Sequence, residues 1–280
     1  MNDSLVTGID SHAHVFTRDL PLASGRRYAP AYDATLERYR AMLASIGMSH
    51  GVLIQPSFLG FDNSYLLACL DAHPQQLRGV VMADPVNALG YIDDWHARGV
   101  VGIRANLIGA QLPDFTDRHW TALLSRMVAL DWHLEMQIDA GRLHHVAPAL
   151  LASGVRIVID HFGRFDPALG INDPGFAYLT LLGQTRRVWV KVSAGYRVSA
   201  KPGDPEATFA TSANAWSELL PAFGADRLLW GTDWPHTQFE HVCNPRHALH
   251  DLYRLVTGES HRQAVLIDTP AELFHFVNHR

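Results

Sequence analysis

Eight short runs of apolar, often β-branched residues recur along the chain. Between them lie stretches whose apolar positions fall three and four apart. The runs are 8–15 (GIDSHAHV), 50–57 (HGVLIQPS), 78–83 (RGVVMA), 100–106 (VVGIRAN), 133–139 (HLEMQID), 156–163 (RIVIDHFG), 188–194 (VWVKVSA) and 228–236 (LLWGTDWPH). Continuous apolar bodies of this length are expected of strands buried on both faces. Leu36, Tyr39, Leu43 and Ile46 share one helical face, with Asp33 as candidate N-cap and Gly47 as a stop. Trp120, Leu123, Leu124 and Met127 do the same after Asp117. A loop is expected over 199–204 (SAKPGD), and Pro270 suits the start of a final short helix.

Strands that alternate with helices imply a parallel sheet with right-handed crossovers. Eight such units in 280 residues predict a single-domain (β/α)8 TIM barrel over 1–280, with its site at the C-terminal ends of the strands. A doubly wound open sheet is the competing architecture. It fits less well because no glycine-rich phosphate loop follows an early strand.

At 48% hydrophobic and 18% charged residues, the chain can bury a large core. The net charge of -5 and the lack of a long basic run argue against nucleic acid as a partner. No run of about 18 apolar residues predicts a membrane span. The N-terminus lacks the charged and apolar regions of a secretion signal, and Cys69 and Cys243 make no disulfide framework, so a cytoplasmic protein is expected.

The candidate chemistry lies at the ends of the runs. Period-two alternation would put Asp10, His12 and His14 on one face of the first strand. His161 closes the sixth run, with Ile157 and Ile159 sharing its parity, and Asp233 closes the eighth. A buried aspartate is costly unless it is paired or functional. Neutral imidazoles with a carboxylate form either a metal set or an acid/base set. Arg104 and Asn106 share a parity on the fourth strand, where a guanidinium could bind a carboxylate with two hydrogen bonds. Lys191, Trp189 and Ser193 share one on the seventh. An inward Lys191 would take a catalytic role or pair with a carboxylate, for which Asp10 and Glu135 are candidates.

The segments IDSHAHVF, RYAP, QPSFLGFDNSYLL, LRGVVM, GIRANL, IVIDHFGRFD, VWVKVS and LLWGTDWPH together resemble the amidohydrolase superfamily (amidohydrolase 2 type). Within it, the similarity is to the 2-pyrone-4,6-dicarboxylate lactonases and related lactonases. That resemblance implies a (β/α)8-barrel hydrolase that opens a carboxylated lactone. It implies Asp233 as general base towards water, with His12, His14 and His161 polarising the scissile carbonyl. It implies Arg104 and Arg197 as carboxylate holders, and Tyr28, Ser57 and Gln137 as residues lining the substrate site. Ester hydrolysis needs both an activated water and stabilisation of the developing oxyanion.

The metal-rich superfamily members use a lysine or glutamate on the fourth strand and a histidine on the fifth. Here the fourth strand ends in Arg104 and Asn106, and His133 lies at the start of the fifth, so a two-metal site is not expected. The favoured reading needs no cofactor; one divalent metal such as zinc on His12, His14, His161 and Asp233 is the alternative. Gln137 replaces a tyrosine and Ala110 a second anion-binding arginine, which predicts a substrate with a single carboxylate. Competing activities are a zinc-dependent sugar-lactone hydrolase and a single-metal decarboxylase. A non-catalytic binding protein is the alternative of a different class, but a binder has no need of a base beside three imidazoles.

Overall fold

The computed structural model describes residues 5–277. Eight strands pair in chain order, each parallel to the next: β1 (Ile9–Ala13), β2 (His50–Ile54), β3 (Leu77–Val81), β4 (Val100–Asn106), β5 (His133–Gln137), β6 (Arg156–Ile159), β7 (Val188–Lys191) and β8 (Leu228–Leu229). Backbone bonds close the seam between the last strand and the first: Ser11 N–H donates to Trp230 O (3.0 Å), Asp233 N–H to His12 O and His14 N–H to Trp234 O (both 2.8 Å). One helix follows each strand: α1 (Leu36–Ser45), α2 (Ser64–Ala72), α3 (Ile92–Ala97), α4 (Arg118–Ala129), α5 (Leu143–Ser153), α6 (Pro174–Leu182), α7 (Pro205–Phe223) and α8 (Pro245–Leu255). Two short helices, α9 (Glu259–Gln263) and α10 (Thr269–Leu273), end the chain. The fold is a (β/α)8 TIM barrel. No helix among the described residues is long and apolar enough to cross a membrane.

Two apolar layers hold it. Leu53, Ile103, Leu134, Met136, Ile157 and Ile159 face the helices and pack with Leu43, Leu70, Leu123 and Leu150. Val52, Ile54, Val80, Val101, Val158, Trp189 and Leu229 fill the barrel interior with Phe274 and Phe276. These two phenylalanines close the N-terminal mouth. Phe274 lies 5.4 Å from the ring of His133, and Phe276 lies 5.0 Å from that of His50. The opposite mouth is left for polar side chains.

The local expectations divide. Asp117 caps α4 by accepting from His119 N, Gly47 follows α1 at φ 74°, and Pro270 sits in the first turn of α10. Asp33 does not cap α1. Thr35 does, through Arg38 N, while Asp33 accepts from Arg18 N (2.8 Å). The strands also stop earlier than their apolar runs. Strand β6 ends at Ile159 because His161 and Phe162 take φ of 52° and 55°. Strand β8 is over by Leu229, and Asp233 lies beyond it at φ 58°. Such left-handed backbone cannot extend a strand, and it turns each side chain away from strict alternation.

Candidate active site

The first strand carries two imidazoles inward only because it bulges. Its register against β2 shifts between Asp10 and Ala13, so the extra residue resets the alternation. Asp10 therefore does not share a face with His12 and His14, contrary to simple period two. It turns toward the helices and accepts from Thr232 N (2.7 Å), Thr232 Oγ1 (2.7 Å) and Tyr39 Oη (3.2 Å). Burial raises its pKa to about 6 against those hydrogen bonds. Tyr39 reaches it across Gly51, where any Cβ would collide with the tyrosine hydroxyl.

On β6 the inward parity belongs to Val158 and Asp160, not to Ile157 and Ile159, which face the helices. His161 enters the site through its left-handed backbone instead. The result is a cluster in which Nε2 of His12 and Nε2 of His14 lie 3.3 Å apart. Oδ1 of Asp233 lies 3.7 Å from each and 3.8 Å from Nε2 of His161. All four side chains are buried. Their second ring nitrogens are held from behind: His14 Nδ1 by Ile54 O (2.8 Å), His161 Nδ1 by Ser193 Oγ (3.1 Å) and His12 Nδ1 by Lys191 Nζ (3.0 Å).

The two oxygens of Asp233 have different surroundings. Oδ2 accepts from the Tyr196 hydroxyl (2.6 Å) and from Arg197 Nε–H (2.7 Å). Oδ1 has no hydrogen-bond partner, and neither has His161 Nε2. Burial alone would raise the Asp233 carboxyl, but Arg197 and the imidazoles hold it well below the usual carboxylate range. Burial pushes His161 down to about 3 despite the pull of Asp233, and it pushes His236, 3.1 Å from the Tyr196 hydroxyl, down to about 4. Burial and Lys191 together keep His12 well below its ordinary value. The site thus sets an ionised carboxylate against the neutral imidazoles of His12 and His161.

Beneath the imidazoles lies a charged floor. Lys191, fully buried, pairs with Glu135 Oε2 at 2.5 Å and lies 3.5 Å from Asp160 Oδ1. Asp10 is not its partner. Asp160 also approaches His12 Nδ1 (3.3 Å) and Arg104 (3.7 Å). Burial would raise its carboxyl, but the neighbouring His12 and Lys191 hold it well below the usual range.

Above the imidazoles opens a cavity of about 170 Å³, lined by His14 and Asp233 and by Arg27, Tyr28, Arg104, Asn106, Gln137, Arg164 and Arg197 among others. Arg104 donates to Gln55 O (3.0 Å) and to Gln137 Oε1 (2.7 Å), which also accepts from Asn106 (2.9 Å). Tyr28 Oη lies 3.2 Å from Thr237 Oγ1. Ser57 opens a short 3-10 turn after β2 and is not among the lining residues. Ala110 is exposed, with its carbonyl accepting from Arg142 (2.7 Å). Arg164, a candidate substitute for the arginine missing at Ala110, stands in the cavity, and so does Arg27, which nothing in the sequence marks. Asp160 in the floor, and Tyr196 and His236 beside Asp233, are likewise not placed by the sequence. Each lies in a loop or directly past a strand, and of them only Asp160 shares a strand's inward parity. The other usable signal was adjacency: Asp160 precedes His161, and Tyr196 precedes Arg197.

The donor set can also hold a metal. His12, His14 and Asp233 form one group of converging ligand atoms, and His12, Asp160 and His161 form another. The unpartnered Asp233 Oδ1 and His161 Nε2 are the orphaned buried atoms that a single cation would satisfy, and imidazole and carboxylate are ordinary zinc donors.

Comparison with known proteins agrees with this architecture. The family model described as amidohydrolase matches residues 9–276. The 4-sulfomuconolactone hydrolase of Rhizobium radiobacter is 32% identical over 274 residues, covering 95% of this chain and 89% of that protein. A crystal structure of a candidate 2-pyrone-4,6-dicarboxylic acid hydrolase from Pseudomonas putida is 46% identical, with a TM-score of 0.90 and coverage of 98% of this chain and 99% of that one. A similar candidate from Acinetobacter baumannii, solved with citric acid bound, is 33% identical, with a TM-score of 0.91 and coverage of 96% and 99%.

Proposed function

The chain belongs to the amidohydrolase family, and from that premise we propose that it hydrolyses a lactone bearing two anionic groups, with Asp233 as general base. The observation that carries the reading is the free Oδ1 of Asp233 facing three imidazoles at the foot of an arginine-lined cavity. A water held between Oδ1 and the imidazoles would give its proton to Oδ1 while its oxygen bonds to the lactone carbonyl carbon. Negative charge then gathers on the former carbonyl oxygen, where an imidazole N–H and the Arg104 guanidinium would stabilise it. The ring C–O bond breaks, and the leaving oxygen takes the proton from Asp233, which restores the carboxylate. Tyr196 and Arg197 occupy Oδ2, so only Oδ1 is available and its direction is fixed. A cation held by His12, His14, His161 and Asp233 would, when bound, polarise the carbonyl and acidify water. The steps above are carried by the chain's own side chains.

The cavity's charge supports two anionic groups. Arg27, Arg104, Arg164 and Arg197 line it against the single carboxylate of Asp233. Ala110 supplies no cation, which alone suggests one carboxylate, but Arg164 offers a guanidinium from another loop. Its Nε has no hydrogen-bond partner and pairs only with Asp139 Oδ1, at 3.5 Å. A desolvated carboxylate or sulfonate needs such a partner. The names of the relatives agree in kind: a sulfonated lactone, a pyrone dicarboxylate, and citrate bound to a third protein.

The test is kcat/KM for 2-pyrone-4,6-dicarboxylate, for 4-sulfomuconolactone, for a mono-carboxylated lactone and for a neutral lactone. Dianionic substrates should lead, and Arg164→Met should lower their kcat/KM by roughly 10- to 100-fold, the loss of a charged hydrogen-bond partner, while sparing the mono-acid. Equal turnover of neutral lactones would overturn the reading.

A further inference from the structure

The hydrogen bonds behind the imidazoles begin at a group that only donates and end at one that only accepts. Lys191 Nζ, fully buried between the carboxylates of Glu135 and Asp160, is an ammonium, with donors alone. At the other end, His14 Nδ1 lies 2.8 Å from the Ile54 carbonyl oxygen, an acceptor alone. His14 must therefore carry its proton on Nδ1, which leaves Nε2 as an acceptor. In the 3.3 Å contact between the two Nε2 atoms, the proton then belongs to His12. A neutral His12 with its proton on Nε2 has its lone pair on Nδ1, where Lys191 donates at 3.0 Å. Read from either end, the order is the same: Lys191 to His12, His12 to His14, His14 to Ile54. The opposite order would need His12 Nδ1–H to donate to Asp160 Oδ1 at 3.3 Å, a longer contact for which Lys191 competes.

We propose that Lys191 is a positioning residue that fixes the His12 proton on Nε2, so that His12 turns an N–H rather than a lone pair toward His14 Nε2 and Asp233 Oδ1. Two consequences follow. The N–H lies next to the Asp233 oxygen proposed to take the water proton, where it can leave His14 Nε2 to donate to a developing oxyanion. It also biases the cluster against a cation, which needs lone pairs on both Nε2 atoms. Metal-binding histidines ordinarily place a carboxylate or carbonyl behind the ring, accepting from its far nitrogen. An ammonium in that place enforces the reverse tautomer and adds a positive charge close to the ion. The cluster can take a cation only by overturning the order that Lys191 sets. This rests on the contacts of the imidazoles and not on the lactone reading, so either can fail alone.

Nitrogen-15 NMR of histidine-labelled wild-type protein reads the order directly, with His12 assigned from the difference against His12→Gln. His12 should show a protonated Nε2 and a bare Nδ1, and His14 the opposite. A His12 proton on Nδ1 overturns the proposal. The second arm is zinc binding by titration calorimetry in Lys191→Met combined with Glu135→Gln, which leaves no unpaired charge in the floor. Zinc should bind about 10- to 100-fold more tightly than to the wild type, the scale on which groups behind metal ligands act. Unchanged zinc affinity would overturn the cation bias. The NMR arm needs no change at Lys191, so a double variant that fails to fold leaves the proposal open to refutation.

Discussion

Asp233 leaves Oδ1 without a hydrogen-bond partner and ties up Oδ2. Because Arg197 and the imidazoles hold its carboxyl well below the usual range against the effect of burial, it is ionised at neutral pH, with the lone pairs of Oδ1 open. Asp233→Asn keeps the shape and the Tyr196 contact but removes the proton acceptor. Turnover should fall by about 10²- to 10⁴-fold with the circular dichroism spectrum unchanged. A purified variant with most of its kcat would remove Asp233 from this role. The sequence made the residue visible because a carboxylate beside tryptophan at the end of an apolar run is out of place unless used. Nothing comparable marked Tyr196. It becomes informative only when the turn after β7, with Ala194 at φ 51°, swings its hydroxyl onto Oδ2.

Strand runs predicted the elements well and their ends poorly, and the reason is physical. The polar residues that close the runs are also those that leave β geometry, so composition continues where the backbone does not. The bulge in β1 and the left-handed His161 both change which parity faces inward, and neither has a local sequence mark. The same junction yields a prediction at the seam of β1 and β8. A Cβ at Gly231 would meet His12 N at 2.6 Å and His12 Cβ at 2.8 Å, contacts that only displacement of β1 could relieve. Gly231→Ala should destabilise the fold by about 1–3 kcal/mol, as overpacking does. It should also lower kcat by shifting His12 relative to Asp233. Wild-type stability in urea together with wild-type turnover would show that the seam yields without strain.

For the whole molecule, eight buried runs with helices between them were enough to specify the barrel. The shape left few choices for where polar side chains could gather, because Phe274 and Phe276 stop one mouth. The same enclosure determines how the protein responds to acid. Burial holds His50 at about 4, His161 at about 3 and His236 at about 4, against 6.5 for each in an open chain. Between about pH 4 and 6.5 the unfolded chain therefore binds more protons at these three sites than the folded one, and stability rises with pH across that window. Asp10 acts in the opposite sense. Its folded value of about 6 lies above the ordinary 3.8, so its contribution is present at low pH and lost as pH rises through 6. Three imidazoles outweigh one carboxyl. Net stability should be full above about pH 6.5 and fall as the pH drops toward 4, by an amount on the order of several kcal/mol at about 1.4 kcal/mol per pH unit of displacement. Asp160 and Asp233, both held low, extend the loss below pH 4. Urea unfolding at pH 7.5, 6, 5 and 4.5 tests the sign. The midpoint should shift steadily downward, and His50→Gln, which removes one imidazole far from Asp233, should flatten the slope by about a third of the imidazole contribution. A midpoint that holds constant from pH 7.5 to 4.5 would mean that the folded chain protonates these rings as readily as the unfolded one, and that the enclosure argued from their burial is not felt by the proton.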